Sequence, residues 1–168
     1  NTYSGLTTVS AGTLTLDQAG NTTGTVIKDT NAVTVNGGIL NLVDNSETIG
    51  ALTLTSGSIT GTNKTLTGSS YTLNPGEGVS VSIQPILAGS GINLTKSAAG
   101  TATLSGANTY TGTTTISDGT LEVDGTLAQT AVTVSSGATY DVDSTDTVLS
   151  IAGAGTINLA DAALTAGD

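Results

Sequence analysis

The acids of this chain are unevenly spread: 13 of 168 residues are Asp or Glu, against three Lys. The densest group is Asp141-Val142-Asp143-Ser144-Thr145-Asp146. On a strand Asp141 and Asp143 share the outer face, and Asp146 follows on the next turn. Grouped carboxylates suit a hard cation, and Ca2+ takes about six to eight oxygens. Asp141, Asp143 and Asp146 are therefore a calcium candidate. The competing reading is a solvated strand end whose charge discourages sheet pairing. Glu122 and Asp124 form a weaker pair with the same two readings.

Other reactive chemistry is scarce. The chain has no His, Cys or Arg, which removes a His-based triad and a cysteine nucleophile. Lys28, Lys64 and Lys96 are far apart in sequence. The expectation is a protein that is not an enzyme and holds no cofactor, calcium excepted. Asn21-Thr22-Thr23, Asn63-Lys64-Thr65 and Asn93-Leu94-Thr95 match the glycosylation pattern, as an Asn- and Thr-rich chain does by chance. Tyr3 and Tyr110 read either as carbohydrate platforms or as covers for the apolar edge of a turn. The pairs Thr13/Thr15, Thr53/Thr55, Thr65/Thr67, Thr101/Thr103 and Thr113/Thr115 suggest an ice-binding array. Their irregular spacing speaks against alignment on one face.

The net charge of −10 argues against nucleic acid, since no basic patch meets phosphate, and against an anionic membrane surface. The acidity is read as solubility, with cation binding as the alternative. Without Cys there are no disulfides and no thiolate metal sites. No apolar run approaches the ~18 residues of a membrane span. Met is absent and no signal peptide is visible, so the chain is expected to be a processed product or a fragment.

The elements that position these residues follow from composition and repetition. Thr (35) and Gly (23), with 17 Ser and 11 Asn, make about half the chain. Thr is stiff at its first torsion and Gly is costly in a helix, so strands are favoured. Val, Ile and Leu recur at alternate positions, as half-buried strands require. Strands are expected at Leu6–Ser10, Thr13–Asp17, Ala32–Asn36, Ile39–Val43, Ala51–Thr55, Thr65–Thr67, Gly78–Ile83 and Ile92–Thr95. They continue at Thr101–Ser105, Thr113–Ser117, Thr120–Asp124, Ala131–Ser135 and Thr139–Asp143. Turn signals such as Ala11-Gly12, Gly37-Gly38 and Asp118-Gly119 separate them, with further breaks at residues 74–78 and at Gln84-Pro85.

Residues 1–20 return at 108–127 with 11 identities, and residues 32–49 return at 131–148. The offsets are 107 and 99, so eight residues are lost between copies, near Asn21–Asp29. Self-similarity of this kind marks a stacked repeat protein. The whole chain, 1–168, is expected to be one continuous all-β solenoid: a parallel β-helix of about seven or eight coils, without substantial helix. Aliphatic positions such as Val9, Leu16, Val33, Leu54, Leu94, Ile116, Val134, Ile157 and Leu159 should point inward. The first copy lacks the lead-in of the second, and residues 162–168 carry no charged cap, so both ends are expected to continue into another coil.

Residues 94–123, LTKSAAGTATLSGANTYTGTTTISDGTLEV, closely resemble the passenger-associated repeat of bacterial autotransporters. The match runs through Lys96, Gly100, Thr101, Leu104, Ser105, Gly106, Asn108, Thr109, Tyr110, Gly112, Thr114, Ile116, Gly119, Thr120 and Leu121. Ala98-Ala99-Gly100 departs from the usual Gly-x-Gly. Residues 1–20 match the second half of the motif. The resemblance implies a right-handed parallel β-helix at the cell surface or beyond it. It carries no catalytic residues. Polysaccharide lyases share such a fold but place a basic residue beside calcium-binding acids, and this chain has no Arg. The expected function is a non-enzymatic extracellular scaffold or adhesin, stacking end to end as a filament or matrix element. A glycan or a host surface is a possible partner. The alternatives are a carbohydrate-binding module and a Thr-rich ice-binding solenoid.

Overall fold

A computed structural model describes residues 3–17, 26–43, 46–127 and 130–167. Among them there is no helix, and every strand pairing is parallel. The chain winds as a three-faced β-helix, in which paired strand residues lie above their counterparts one coil earlier.

On the first face Thr7–Val9, Ser70–Leu73, Leu94–Lys96, Thr113–Ile116, Ala131–Val134 and Ser150–Gly153 stack with the first halves of Val33–Leu42 and Ala51–Thr60. The second face stacks Thr13–Leu16, Ser80–Ile83, Thr101–Leu104, Thr120–Val123, Thr139–Val142 and Thr156–Leu159 with the second halves of those two long strands. These two faces form one 14-stranded sheet. The third face is broken: Glu47–Thr48, Thr65–Thr67 and Ile86–Ala88 form one sheet, Asp146–Val148 and Leu164–Ala166 another. An isolated bridge, Ala107 to Thr126, lies between them.

Alternation drives this winding. Val33, Val35, Leu52 and Leu54 point inward, and Thr34 and Thr53 point outward between them. Inward side chains stack into columns, one of which runs Val9, Val35, Leu54, Leu73, Lys96, Ile116, Val134. The column repeats without gaps in the sheet although the coils differ in length, because surplus residues are expelled into corner loops. Residues 74–79 are such a loop. The strand expected to end at Asn36 instead continues through Gly37-Gly38 as a bend with shifted register, so a turn signal here marks a corner within one strand.

Gly57 makes the corner of the next coil possible. Its φ is +89°, and a Cβ there would sit 2.1 Å from the Gly38 carbonyl oxygen. Strain at positive φ and the clash with backbone together predict that Gly57→Ala loses about 2–4 kcal/mol, to be read as a lower thermal midpoint. A shift below about 1 °C would contradict this close approach.

The interior holds more than the expected aliphatic positions. Leu66, Leu73, Leu87 and Leu127 extend the core, and Tyr71, Tyr110, Tyr140 and Lys96 are fully enclosed within it. Two expected core residues behave differently: Ile157 and Leu159 are 40 % and 45 % exposed. Both point inward in register with the buried Tyr140 and Val142, yet no described coil lies beyond them.

Candidate functional site

Acidic side chains collect on the outer side of the second face. Register places Glu122 directly against Asp141. Asp124 and Asp143 follow at the strand ends, where the Asp143 amide bonds the Val123 carbonyl at 3.1 Å. Carboxylate oxygens of Glu122, Asp124 and Asp143 lie within 4.8 Å of one another, and among the described residues no other such group of acids forms. Thr103 Oγ1 donates to Glu122 Oε2 at 2.9 Å, and the Ser144 hydroxyl donates to the Asp124 carbonyl.

This differs from the expected calcium set. Asp143 belongs to the cluster, but its partners come from the preceding coil. Asp141 is half-buried beside Glu122. Asp146 is turned inward and buried, so it is not a member. Asp146 Oδ2 accepts the Leu127 amide at 2.8 Å and the Tyr140 hydroxyl at 3.3 Å, and its Oδ1 accepts the Thr147 amide. The signal that would have found the cluster is the 19-residue coil spacing that separates Glu122 from Asp141 and Asp124 from Asp143.

The interior holds the stronger electrostatics. Lys96 occupies an aliphatic position of its column, and its Nζ donates to the carbonyls of Ala98 at 2.7 Å, Asp118 at 2.9 Å and Ser97 at 3.4 Å. It thereby ties the turn of its own coil to that of the next. Burial pushes its ammonium below the ordinary lysine value, and the Asp118 carboxylate draws it partly back.

Tyr71 and Tyr110 meet edge to face, with centroids 5.8 Å apart. The Tyr110 hydroxyl bonds Thr114 Oγ1 at 2.8 Å, Thr114 meets Thr130 at 3.0 Å, and Thr130 donates to the Gly112 carbonyl. The single Tyr71 hydroxyl proton is shared between the carbonyls of Ala88 at 2.6 Å and Leu66 at 2.9 Å, and the hydroxyl oxygen accepts the Gly68 amide. Burial raises all three enclosed phenols above their ordinary value. A side chain so enclosed is no carbohydrate platform, so Tyr110 is corrected to a packing residue.

Tyr3, its counterpart in the first copy, is 40 % exposed and repeats the same bond, hydroxyl to the Thr7 hydroxyl. The exposed Asn93 of one glycosylation match accepts the Thr113 amide at 2.8 Å, and Asn63 of another stands at a turn with φ 60°. Asn21 lies outside the described residues, as do residues 21–25 of the loop in which the two repeat offsets diverge.

Residues 1–16 and 94–123 match the family model of the passenger-associated-transport-repeat. These two segments are similar to that repeat. With the β-solenoid fold, the match is consistent with an autotransporter passenger β-helix. No curated protein and no solved structure matches the chain. Within the repeat at 94–123, Lys96 and Tyr110 perform the coil-to-coil joining described above. Asn108 joins Leu87 to Thr126, accepting the amide of the first and donating to the carbonyl of the second. Gly106 lets the chain approach the Pro85 carbonyl, where a Cβ would lie 2.6 Å from its oxygen.

Proposed function

We propose that this chain is a non-enzymatic scaffold or adhesive segment of a secreted or cell-surface β-helix. The observation that carries the reading is that the distinctive residues of the repeat are spent on stacking. Lys96, Asn108 and Tyr110 bond or pack across coils, and none is presented to a substrate. Protease shaving of intact cells that express this protein should remove the chain from the surface. Labelling only after the cells are permeabilised would overturn the surface placement, and turnover of a polysaccharide by the purified chain would overturn the non-enzymatic role.

The partner in this reading is another β-helical coil, from a second copy or from a longer chain. Ile157 and Leu159 expose the inward side of the last described coil, and residues 150–160 carry no charge. Apolar columns open in this way are covered by stacking. Heterologous head-to-tail contacts extend rather than close. Sedimentation across a concentration series should show association that Ile157→Asp with Leu159→Asp abolishes. A monomer at every concentration would exclude self-stacking. Calcium, in the same reading, belongs at Glu122, Asp124 and Asp143. Calorimetric titration with Ca2+ should give heat that Asp143→Asn removes, and no heat in the parent would exclude the ion.

One observation favours the ice-binding alternative. The outward Thr residues do align: Thr8, Thr34, Thr53, Thr72, Thr95, Thr115 and Thr133 form one ladder on the first face. Their hydroxyls repeat at the strand spacing of about 4.7–4.9 Å. The Thr-x-Thr pairs themselves are scattered over three faces. Thermal hysteresis lost in Thr72→Tyr and kept in Thr103→Tyr, on the other face, would support this alternative. Freezing behaviour like that of an inert control protein would exclude it.

A further inference from the structure

Three pairs in the chain place Asp or Asn before glycine: Asn36-Gly37, Asp118-Gly119 and Asp124-Gly125. Such pairs can rearrange, because the amide nitrogen of an unhindered glycine can attack the carboxyl or carboxamide carbon of the residue before it. The stack holds two of them away from that geometry. Asn36 lies within the strand Val33–Leu42, and its Oδ1 accepts the hydroxyls of Thr55 at 2.9 Å and Ser56 at 3.2 Å, one coil on. The Gly125 amide donates to the Leu104 carbonyl at 3.1 Å, and Asp124 Oδ2 accepts the Ser105 hydroxyl at 3.4 Å. In both pairs, bonds to another coil hold a reacting group.

Asp118-Gly119 is bonded to itself instead. Asp118 stands exposed at the corner between the strands Thr113–Ile116 and Thr120–Val123. The Gly119 amide donates to Asp118 Oδ1 at 2.8 Å, so the nitrogen lies beside the carboxyl carbon. A Cβ on Gly119 would sit 2.4 Å from the Gly100 carbonyl oxygen, at a φ of +64°, so this close fit requires glycine. On the opposite edge of the same peptide unit, the Asp118 carbonyl accepts Lys96 Nζ at 2.9 Å. When the Gly119 nitrogen gives up its proton, the negative charge spreads to that carbonyl oxygen, and a fixed ammonium stabilises charge where it develops. Nucleophile, electrophile and charge-stabilising cation thus meet on one peptide unit.

We propose that Lys96, Asp118 and Gly119 form a self-modification site that moves the peptide bond after residue 118 from the α-carboxyl to the β-carboxyl. This goes beyond the scaffold role proposed above and does not rest on it; water is the only co-reactant. The Gly119 nitrogen passes its proton to Oδ1 and attacks Cγ. The N–Cγ bond forms and the Cγ–Oδ1 bond breaks. With one further proton from solvent the oxygen leaves as water, and a succinimide ring remains. Water then adds to the α-carbonyl carbon, which Lys96 keeps polarised. The bond from that carbon to nitrogen breaks, the nitrogen takes one proton of the water, and the new α-carboxyl returns the other to solvent. The α-carboxylate forms where the Asp118 carbonyl stood, against the Lys96 ammonium, so a neutral hydrogen bond becomes an ion pair.

Incubation of the folded 168-residue chain at neutral pH in oxygen-18 water tests this. Each opening of the ring leaves a heavy oxygen at residue 118, and fragmentation by electron transfer reports the shifted backbone. Heavy oxygen should enter residue 118 about tenfold faster in the folded chain than in the same chain held unfolded in urea, and faster than it enters Asp124. In Lys96→Leu, shown to be folded by circular dichroism, the rate at 118 should fall about tenfold or more. A folded Lys96→Leu that reacts as fast as the parent would overturn the part assigned to Lys96. A folded parent no faster than the unfolded chain would overturn the proposal, and that comparison needs no variant.

Discussion

Tyr110→Ala lowers the stability of the chain by about 3–5 kcal/mol, the loss typical of a large aromatic removed from a closed core. In a chain of this length that is roughly 6–20 °C in thermal midpoint. The ring is fully enclosed and packs edge to face on Tyr71, and its hydroxyl opens the chain of bonds through Thr114 and Thr130 to the Gly112 carbonyl. Tyr3→Ala is the matched control. It removes the same residue from the same motif position, but at 40 % exposure, and its effect should stay within about 1 kcal/mol. Calorimetry of the two variants reads the difference directly. Equal losses would show that the motif tyrosine acts through its local bond to the threonine four residues on, because burial is what separates the two copies.

Lys96→Leu is expected to cost about 2–4 kcal/mol although the flanking coils carry aliphatic residues, Leu73 and Ile116, at this position. Loss of the buried charge is favourable in itself. The carbonyls of Ala98 and Asp118, which the ammonium satisfies at 2.7 and 2.9 Å, then have no donor inside the stack, and this outweighs the gain. The pH profile distinguishes this mechanism from simple packing. The buried ammonium titrates below its ordinary value, so between that lowered value and about 10.4 the unfolded chain binds more protons. Stability of the parent therefore rises with pH across that interval, and the variant lacks the rise. A variant at least as stable as its parent would show that the aliphatic column, not the tie between turns, sets the strength of this joint.

Much of the architecture was legible in the residues alone. Two copies of one motif, Gly at the corners and alternating aliphatic residues specify a stack of parallel coils, because in/out alternation is a local property of a strand. Val33, Leu54, Ile116 and Val134 are buried as their spacing demands. Lys96 is buried by the same alternation, although its charge argues for solvent.

What alternation cannot specify is the neighbour one coil away. Successive positions of the first-face column are separated by 26 residues at Val9 to Val35, 19 at Val35 to Leu54 and 23 at Leu73 to Lys96. Register across coils therefore depends on how much chain each corner expels, which only the folded stack decides. That register aligned seven threonines on the first face, of which only Thr53 and Thr115 belong to the expected pairs, and it drew Glu122 and Asp124 to Asp143. Asp146, by contrast, turned inward to the Leu127 amide, because a broken third sheet left that donor needing an oxygen. The two motif tyrosines read identically in sequence, and only the stack separates them: coils on both sides enclose Tyr110, and Tyr3 stands where no described coil precedes it.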